Sequence, residues 1–133
     1  MTRRSVYSGT PWEPKVGYSR AKRVGSLVFV SGTTAVDEQG KVVGPGDLYA
    51  QTRYAIEKIG RALSALGASL TDVVRTRTFV TDIGRFEEFA RAHREFFANI
   101  DPAATCVEVS RLVDPELLVE IEVDAVVEPV EAS

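Results

Sequence analysis

The clearest pattern in the chain is a strict alternation of apolar and acidic positions over residues 117–127 (LLVEIEVDAVV). The odd positions from 117 to 127 are all apolar, whereas Glu120, Glu122 and Asp124 lie between them. Because successive side chains of a strand point to opposite faces, this pattern predicts one face packed on helices and another that carries carboxylates.

Three further segments are rich in β-branched and apolar residues. Residues 26–31 (SLVFVS) and 73–80 (VVRTRTFV) predict strands, and the first could continue through 33–36. Residues 105–109 predict a short strand.

Two segments show helical periodicity. Apolar side chains recur every three or four positions over residues 47–66, where Asp47 is placed to cap the start and Gly67 to end the helix. The second helix begins at 81–82 with Asp82 as its cap, and it ends near Asn99, before an Asp-Pro pair that breaks the pattern.

The order of these elements predicts an α+β fold. It is strand, strand, helix, strand, helix, strand, strand, which is typical of a mixed sheet with two helices packed on one face. We interpret residues 1–133 as one domain, with an irregular arm over 1–15, rich in proline and glycine up to residue 17, and a tail over 128–133. The uncovered sheet face would be buried if three copies associated with these faces inward.

Composition narrows the class of protein. The chain has 133 residues, 44% hydrophobic and 26% charged, as expected for one globular domain. Its net charge of −3 and broken basic clusters argue against a nucleic-acid partner. A single cysteine excludes an intrachain disulfide, and no apolar run approaches the ~18 residues of a membrane span, so we expect a cytoplasmic protein without a membrane partner.

Few side chains suit catalysis on their own. His93 is the one histidine, so any triad must use it, yet it shares a helix face with phenylalanines, which favours a packed position near a pocket edge. Cys106 is the one cysteine, and without an activating motif it also fits a buried structural thiol. One histidine and one cysteine without ligand spacing predict no metal site, and no phosphate-binding loop is present.

The acidic row of the last strand has two interpretations. Solvation, or pairing of Glu122 and Asp124 with Arg75, Arg77 or Arg111, explains the acids without any function. Alternatively, one acid at a subunit interface is partly buried, has a pKa raised toward neutrality, and works as a general acid or base.

Several ordered segments together carry a family resemblance. They are VGYS at 16–19, LVFVSG at 27–32, QTR at 51–53, LGASLTDVV at 66–74, FVTD at 79–82, PAATCVEV at 102–109 and VEIE at 119–122. In this order and spacing they resemble the Rid family, also called the YjgF or L-PSP endoribonuclease family, over about residues 16–127.

The resemblance implies a chorismate-mutase-like domain that forms homotrimers with small-molecule pockets in the clefts between subunits. Characterised members hydrolyse reactive enamines and imines to keto acids and ammonia without a cofactor. Others have been linked to RNA cleavage and translation inhibition.

The resemblance also implies site residues. Glu120 matches the acid that orients water, and Thr105 and Cys106 offer backbone N–H groups to an oxyanion. Tyr18 would line the pocket and Ser31 and Gly32 would contact the ligand. The position of a small polar residue that faces the pocket is taken by Ala90. His93 is added as a candidate from its own position, one turn further along the second helix.

One departure concerns substrate binding. Imine deaminases of the family carry arginine where this chain has Ala104, and that arginine grips the substrate carboxylate with two charge-assisted hydrogen bonds. We therefore expect a protein other than a standard 2-iminopropanoate deaminase. Three functions stay open: a metabolite-binding trimer, a hydrolytic deaminase of another imine or enamine that uses Glu120, and, disfavoured by the acidic charge, a ribonuclease or translation inhibitor.

Overall fold

A computed structural model describes residues 2–128 of the chain. It contains six strands and three α-helices. The strands are β1 (Arg3–Val6), β2 (Ala21–Val24), β3 (Leu27–Thr33), β4 (Val73–Val80), β5 (Ala103–Glu108) and β6 (Val119–Val126). The helices are α1 (Trp12–Val16), α2 (Leu48–Ala65) and α3 (Phe86–Phe97).

The strands form one mixed sheet in the order β1-β2-β3-β6-β4-β5. All neighbours are antiparallel except β4 and β5, which are parallel. Strand β6 lies between β3 and β4, so its backbone is paired on both sides. Its odd side chains are buried in the core and its even ones lie on the other face, which confirms the α+β class and the alternation in the sequence.

Helix α2 supplies much of the core against β3 and β6. It begins as predicted, because the Asp47 carboxylate accepts a hydrogen bond of 2.9 Å from the backbone N–H of Ala50. Gln51, buried on the same helix, was missed by the sequence analysis. Its amide nitrogen donates to the carbonyl of Glu116 and its oxygen accepts from the N–H of Leu118, which ties the loop before β6 to the helix.

The prediction of an irregular N-terminal arm and of only two helices was wrong. Residues 3–6 form the edge strand β1, and residues 12–16 form α1. The sequence does not show β1 and β2 because half of their side chains are charged and only Ala21 is buried, so it is backbone pairing with a neighbouring strand that makes them strands.

Other predicted boundaries shift by a few residues. The first predicted strand continues to Thr33 but not to Val36, which forms only an isolated bridge with Val42. Asp82 caps a short 3-10 turn, and α3 follows from Phe86. Strand β5 begins at residue 103 and β6 at residue 119. Most of the predicted tail, residues 129–133, lies outside the described part of the chain.

Candidate functional site

Four of the predicted site residues line one cleft of about 600 Å³, which we call the Glu120 cleft. They are Tyr18, Ser31, Gly32 and Glu120. The rest of its wall includes Arg20, Lys58, residues 10–12 and residues 113–114.

An irregularity in β3 shapes this cleft. The pairing of β3 with β6 shifts register between Val30 and Thr33, so Ser31 and Gly32 lie in a bulge, a feature that re-aims side chains at strand ends. The Ser31 hydroxyl donates to the carbonyl of Ser19 at 2.8 Å. This bond connects the bulge to the turn that carries Tyr18.

The Glu120 carboxylate lies directly against Gly32. A Cβ at residue 32 would overlap the Glu120 carboxylate, so only glycine permits this approach. Glu120 is half-buried, and its side chain accepts no hydrogen bond from any residue in 2–128. Burial raises the pKa of Glu120, the neighbouring Glu122 adds to the rise, and Arg20 opposes it.

Arg20 was missed as a site residue, because the sequence shows it only as part of a broken basic cluster. Its Nη2 donates to the Gly32 carbonyl at 2.6 Å, and its guanidinium lies 5.7 Å from the centre of the Tyr18 ring. Its Nε is buried and has no hydrogen-bond partner within residues 2–128. Arg20 therefore stabilises the bulge through its hydrogen bond to Gly32 and places a positive charge near Glu120.

Lys58 was also missed as a site residue, because the sequence pattern shows it only as one of the polar residues of α2. Its ammonium donates to the carbonyl oxygens of Thr34 at 2.8 Å and Val36 at 3.0 Å. Burial, together with the nearby charges of Arg20 and Arg61, lowers the pKa of Lys58 to about 8. The cleft thus contains two acids, Glu120 and Asp114, and two cationic side chains, of which Lys58 titrates slightly above neutral pH.

Four other predicted residues line a separate groove of about 520 Å³, which we call the His93 groove. They are Ala90, His93, Ala104 and Cys106. Parallel pairing of β4 with β5 sets Ala104 beside Thr76 and Cys106 beside Thr78, on the sheet face that carries α3.

The pKa shifts of the two candidate catalytic groups in this groove favour their neutral forms. His93 Nε2 lies 3.0 Å from the Thr76 hydroxyl, and its ring packs between those of Phe89 and Phe97 at 5.3 and 4.7 Å. Burial lowers the pKa of His93 and raises the pKa of the Cys106 thiol. Neither group is activated by a charged partner, so the groove is apolar and uncharged at these positions.

Within one copy of the chain the two sites stay apart, since they share no lining residue. Thr105 lines neither; it is exposed and lies on the opposite face of β5 from Ala104 and Cys106.

Two acids of β6 take part in ion pairing. Arg77 lies 3.3 Å from Glu122 and 3.2 Å from Asp124, which confirms the interpretation that these two acids are paired with arginine and leaves Glu120 distinct.

Among residues 2–128, no group of three or more potential ligands is arranged to hold a metal ion. None of the helices in that range has the length and apolarity needed to cross a membrane.

Residues 10–127 match the family model described as Endoribonuclease L-PSP. The chain belongs to this family, the Rid or YjgF family. The resemblance seen in the sequence is thereby confirmed.

Individual Rid proteins support the same assignment. The chain is 39% identical to 3-aminoacrylate deaminase RutC of Acinetobacter baylyi, over 85% of this chain and 88% of that protein. It is 34% identical to a RutC family protein of Pyrococcus abyssi, over 92% and 95% of the two chains.

A solved YjgF family structure from Mycobacterium tuberculosis superposes with a TM-score of 0.88 at 49% identity, covering 95% of this chain and all of that one (100%). TdcF of Escherichia coli, solved with bound serine, superposes with a TM-score of 0.78 at 29% identity, covering 94% of each chain.

Proposed function

We propose that this chain is a hydrolytic deaminase of a small enamine or imine, with Glu120 as its acid–base group. The observation that carries the proposal is the Glu120 carboxylate itself. It is half-buried against Gly32, accepts no hydrogen bond within residues 2–128, and has a pKa raised by burial. A carboxyl group whose pKa lies closer to neutrality can both donate and accept a proton, as hydrolysis of a C–N bond requires. The 3-aminoacrylate deaminase among the relatives supports this reaction class.

The reaction needs only a proton and a water molecule. Protonation of the enamine carbon gives an iminium ion, and water then adds to the iminium carbon while Glu120 accepts a proton from it. Return of that proton to nitrogen makes ammonia the leaving group. The C–N bond then breaks as the hydroxyl proton of the adduct passes to the Glu120 carboxylate, which replaces the proton first given to carbon, so ammonia leaves and a carbonyl compound remains. Each proton that Glu120 accepts is given back, so the reaction consumes one water and needs no cofactor.

The Ala104 position bears on the substrate. A methyl side chain cannot grip a carboxylate attached to the imine carbon, so a 2-imino acid would lose a partner worth on the order of 2–5 kcal/mol. In 3-aminoacrylate the carboxylate is attached one carbon further from the nitrogen-bearing carbon. A substrate of that kind places its carboxylate elsewhere and has less need of an arginine at residue 104.

We further propose that the chain works as a homotrimer in which the His93 groove of one copy adjoins the Glu120 cleft of the next. This would unite the predicted site residues that a single copy keeps apart. Exposed apolar side chains on the open sheet face support association: Leu27, Phe29, Val107 and Val126 are 36–46% exposed. Light scattering at micromolar concentration tests this, and a monomer would contradict it.

The decisive experiment measures ammonia and carbonyl product from two substrates, each made in situ. One is a set of 2-imino acids produced by an amino-acid oxidase, and the other is 3-aminoacrylate. We expect the wild type to hydrolyse 3-aminoacrylate above background but the 2-imino acids slowly. Ala104→Arg should gain at least about tenfold on the 2-imino acids, because it restores a bidentate carboxylate contact.

A metabolite-binding trimer without chemistry is the second candidate. The His93 groove and Ala104 favour it, since the neutral His93 and Cys106 leave a binding surface without an activated catalytic group. Calorimetric titration of a metabolite panel separates the two. Saturable binding with no turnover of either substrate would support the binding protein and overturn the deaminase.

A further inference from the structure

A second polar cleft lies behind the Glu120 cleft, between residues 6–10 and helix α2. Its volume is about 250 Å³, and three cationic side chains line it: Arg20, Lys58 and Arg61. We call it the cationic cleft. Tyr54 and the hydroxyl-bearing residues of the 6–10 segment complete much of its wall.

No carboxylate neutralises these three cations by direct contact. None of the ion pairs found within residues 2–128 involves Arg20, Lys58 or Arg61. Lys58 donates only to backbone carbonyls, Arg20 donates only to the Gly32 carbonyl, and the buried Arg20 Nε has no partner in this range. Such an arrangement leaves charge and donor capacity for a ligand.

Asp37 and Glu38 line the cleft and Glu13 lies near Lys58, but none of these three acids forms an ion pair with the three cations within residues 2–128. The buried Glu13 carboxylate accepts hydrogen bonds from the Ser8 N–H and hydroxyl, which ties down the segment in front of the cleft. Asp37 accepts from the N–H groups of Gln39 and Lys41 in its own turn. These acids shape the cleft and moderate its charge without pairing with the cations.

We propose that the cationic cleft binds the carboxylate or phosphate group of a small metabolite through Arg20, Lys58 and Arg61. The site is distinct from the proposed catalytic cleft, because Arg61 and Tyr54 do not line that cleft and Glu120 does not line this one. Arg20 and Lys58 border both. The volume suits a small acid and is below the ~300–1,000 Å³ of drug-sized ligand sites.

The test uses inorganic phosphate and malonate as probes, titrated at constant ionic strength into the full chain labelled with ¹⁵N. We expect saturable shifts of backbone amides in residues 7–10 and 54–62. The probe that binds more tightly identifies phosphate or carboxylate as the preferred group. Shifts that follow ionic strength alone, or that appear only around residues 31–32, would overturn the proposal.

Matched variants show which side chains hold the anion. Lys58→Met and Arg61→Gln should each weaken binding by about tenfold or more, since each removes a charged hydrogen-bond donor. Arg53→Gln on the same helix makes the same charge change but removes a cation that pairs with Glu95, so its affinity should stay at the wild-type level. Equal loss in all three variants would indicate a general charge effect and overturn the site.

Glu120→Gln separates this proposal from the deaminase. It should abolish turnover and leave malonate affinity in place. If the protein proves inactive yet still binds malonate through Lys58 and Arg61, the deaminase fails and the anion site stands. If malonate binding is lost together with turnover in Glu120→Gln, the two clefts are one site and the present proposal fails.

Lys58 also predicts a pH dependence. Malonate is fully ionised near pH 8, where Lys58 titrates, so its affinity should fall as the pH rises through about 8 and Lys58 loses its charge. The charged groups that act on Lys58 are Arg20, Arg61, Glu13 and Asp37, and Glu38 and Tyr54 also line its cleft. Affinity unchanged between pH 7 and pH 9 would exclude Lys58 as a ligand.

Discussion

The Glu120 cleft and the His93 groove carry equal shares of the predicted site residues but differ in their electrostatics. In the Glu120 cleft, burial raises the pKa of a carboxyl group while the positive charge of Arg20 limits that rise. In the His93 groove, burial lowers the pKa of His93 and raises the pKa of Cys106 with no charge to oppose either shift. The same desolvation thus favours proton transfer in one site and suppresses charge in the other.

Removing the acid of the first site should give the largest effect. Glu120→Gln should lower turnover by about 100-fold or more, the usual contribution of a positioned acid–base group. Asp124→Asn on the same strand face is the matched control, because Asp124 pairs with Arg77 and does not line the Glu120 cleft. Steady-state ammonia release from both variants checks this. Full activity in Glu120→Gln would show that Glu120 is not the acid–base group, and the Glu120 cleft would then be no more reactive than the His93 groove.

A single methyl group next to the acid should have the next largest effect. Gly32→Ala places a Cβ where the Glu120 carboxylate lies, so the acid must move. We expect about tenfold or greater loss of turnover with little change in stability, because the atoms that must move are the end of the flexible Glu120 side chain.

Gly60→Ala is its matched control. The nearest atoms to an added Cβ there belong to Leu70, at 3.8 and 3.9 Å, and alanine is the better helix former, so the variant should keep activity and gain up to ~1 kcal/mol. Thermal denaturation and ammonia release measure both effects. Unchanged turnover in Gly32→Ala would show that the position of Glu120 is unimportant.

A substitution in the His93 groove should change the free energy of unfolding more than it changes turnover. His93→Asn should reduce the free energy of unfolding at pH 7 by about 1–3 kcal/mol, since it disturbs the partner of the buried Thr76 hydroxyl and the packing of two phenylalanines.

The pH profile adds a signature specific to the imidazole. Because burial lowers the pKa of His93, its contribution is complete above the unfolded value of about 6.5 and is lost as the pH falls through the lower folded value. The difference between wild type and variant, measured by urea denaturation, should therefore shrink below pH 6.5. A constant difference would mean that His93 does not titrate there.

The smallest effect should come from the thiol. Cys106→Ser should change turnover by less than about tenfold, because a thiol with a raised pKa supplies little thiolate at pH 7. Ala104→Ser, at the neighbouring position on the same groove face, is a suitable comparison. A much larger loss in Cys106→Ser alone would show that the groove takes part in chemistry and would remove the contrast between the two sites.

Local patterns in the chain predicted the elements that depend on local physics. The alternation of 117–127 determined which face of β6 is buried, because the strand period admits one assignment. Asp47 determined the start of α2, because its carboxylate reaches the first free N–H groups without help from distant residues. The ordered motifs determined the family as well.

What only the tertiary structure decided is which distant residues meet. Strands β1 and β2 exist because their backbones pair, and their charged sequences do not show it. Arg20 and Lys58 acquire their roles from neighbours on other elements, namely Gly32, Thr34 and Val36. Glu120, Glu122 and Asp124 look alike in the sequence, yet packing against Gly32 buries one while Arg77 pairs with the other two. Burial and charge pairing depend on contacts between residues far apart in the chain, and the spacing of residues in the sequence does not predict these contacts.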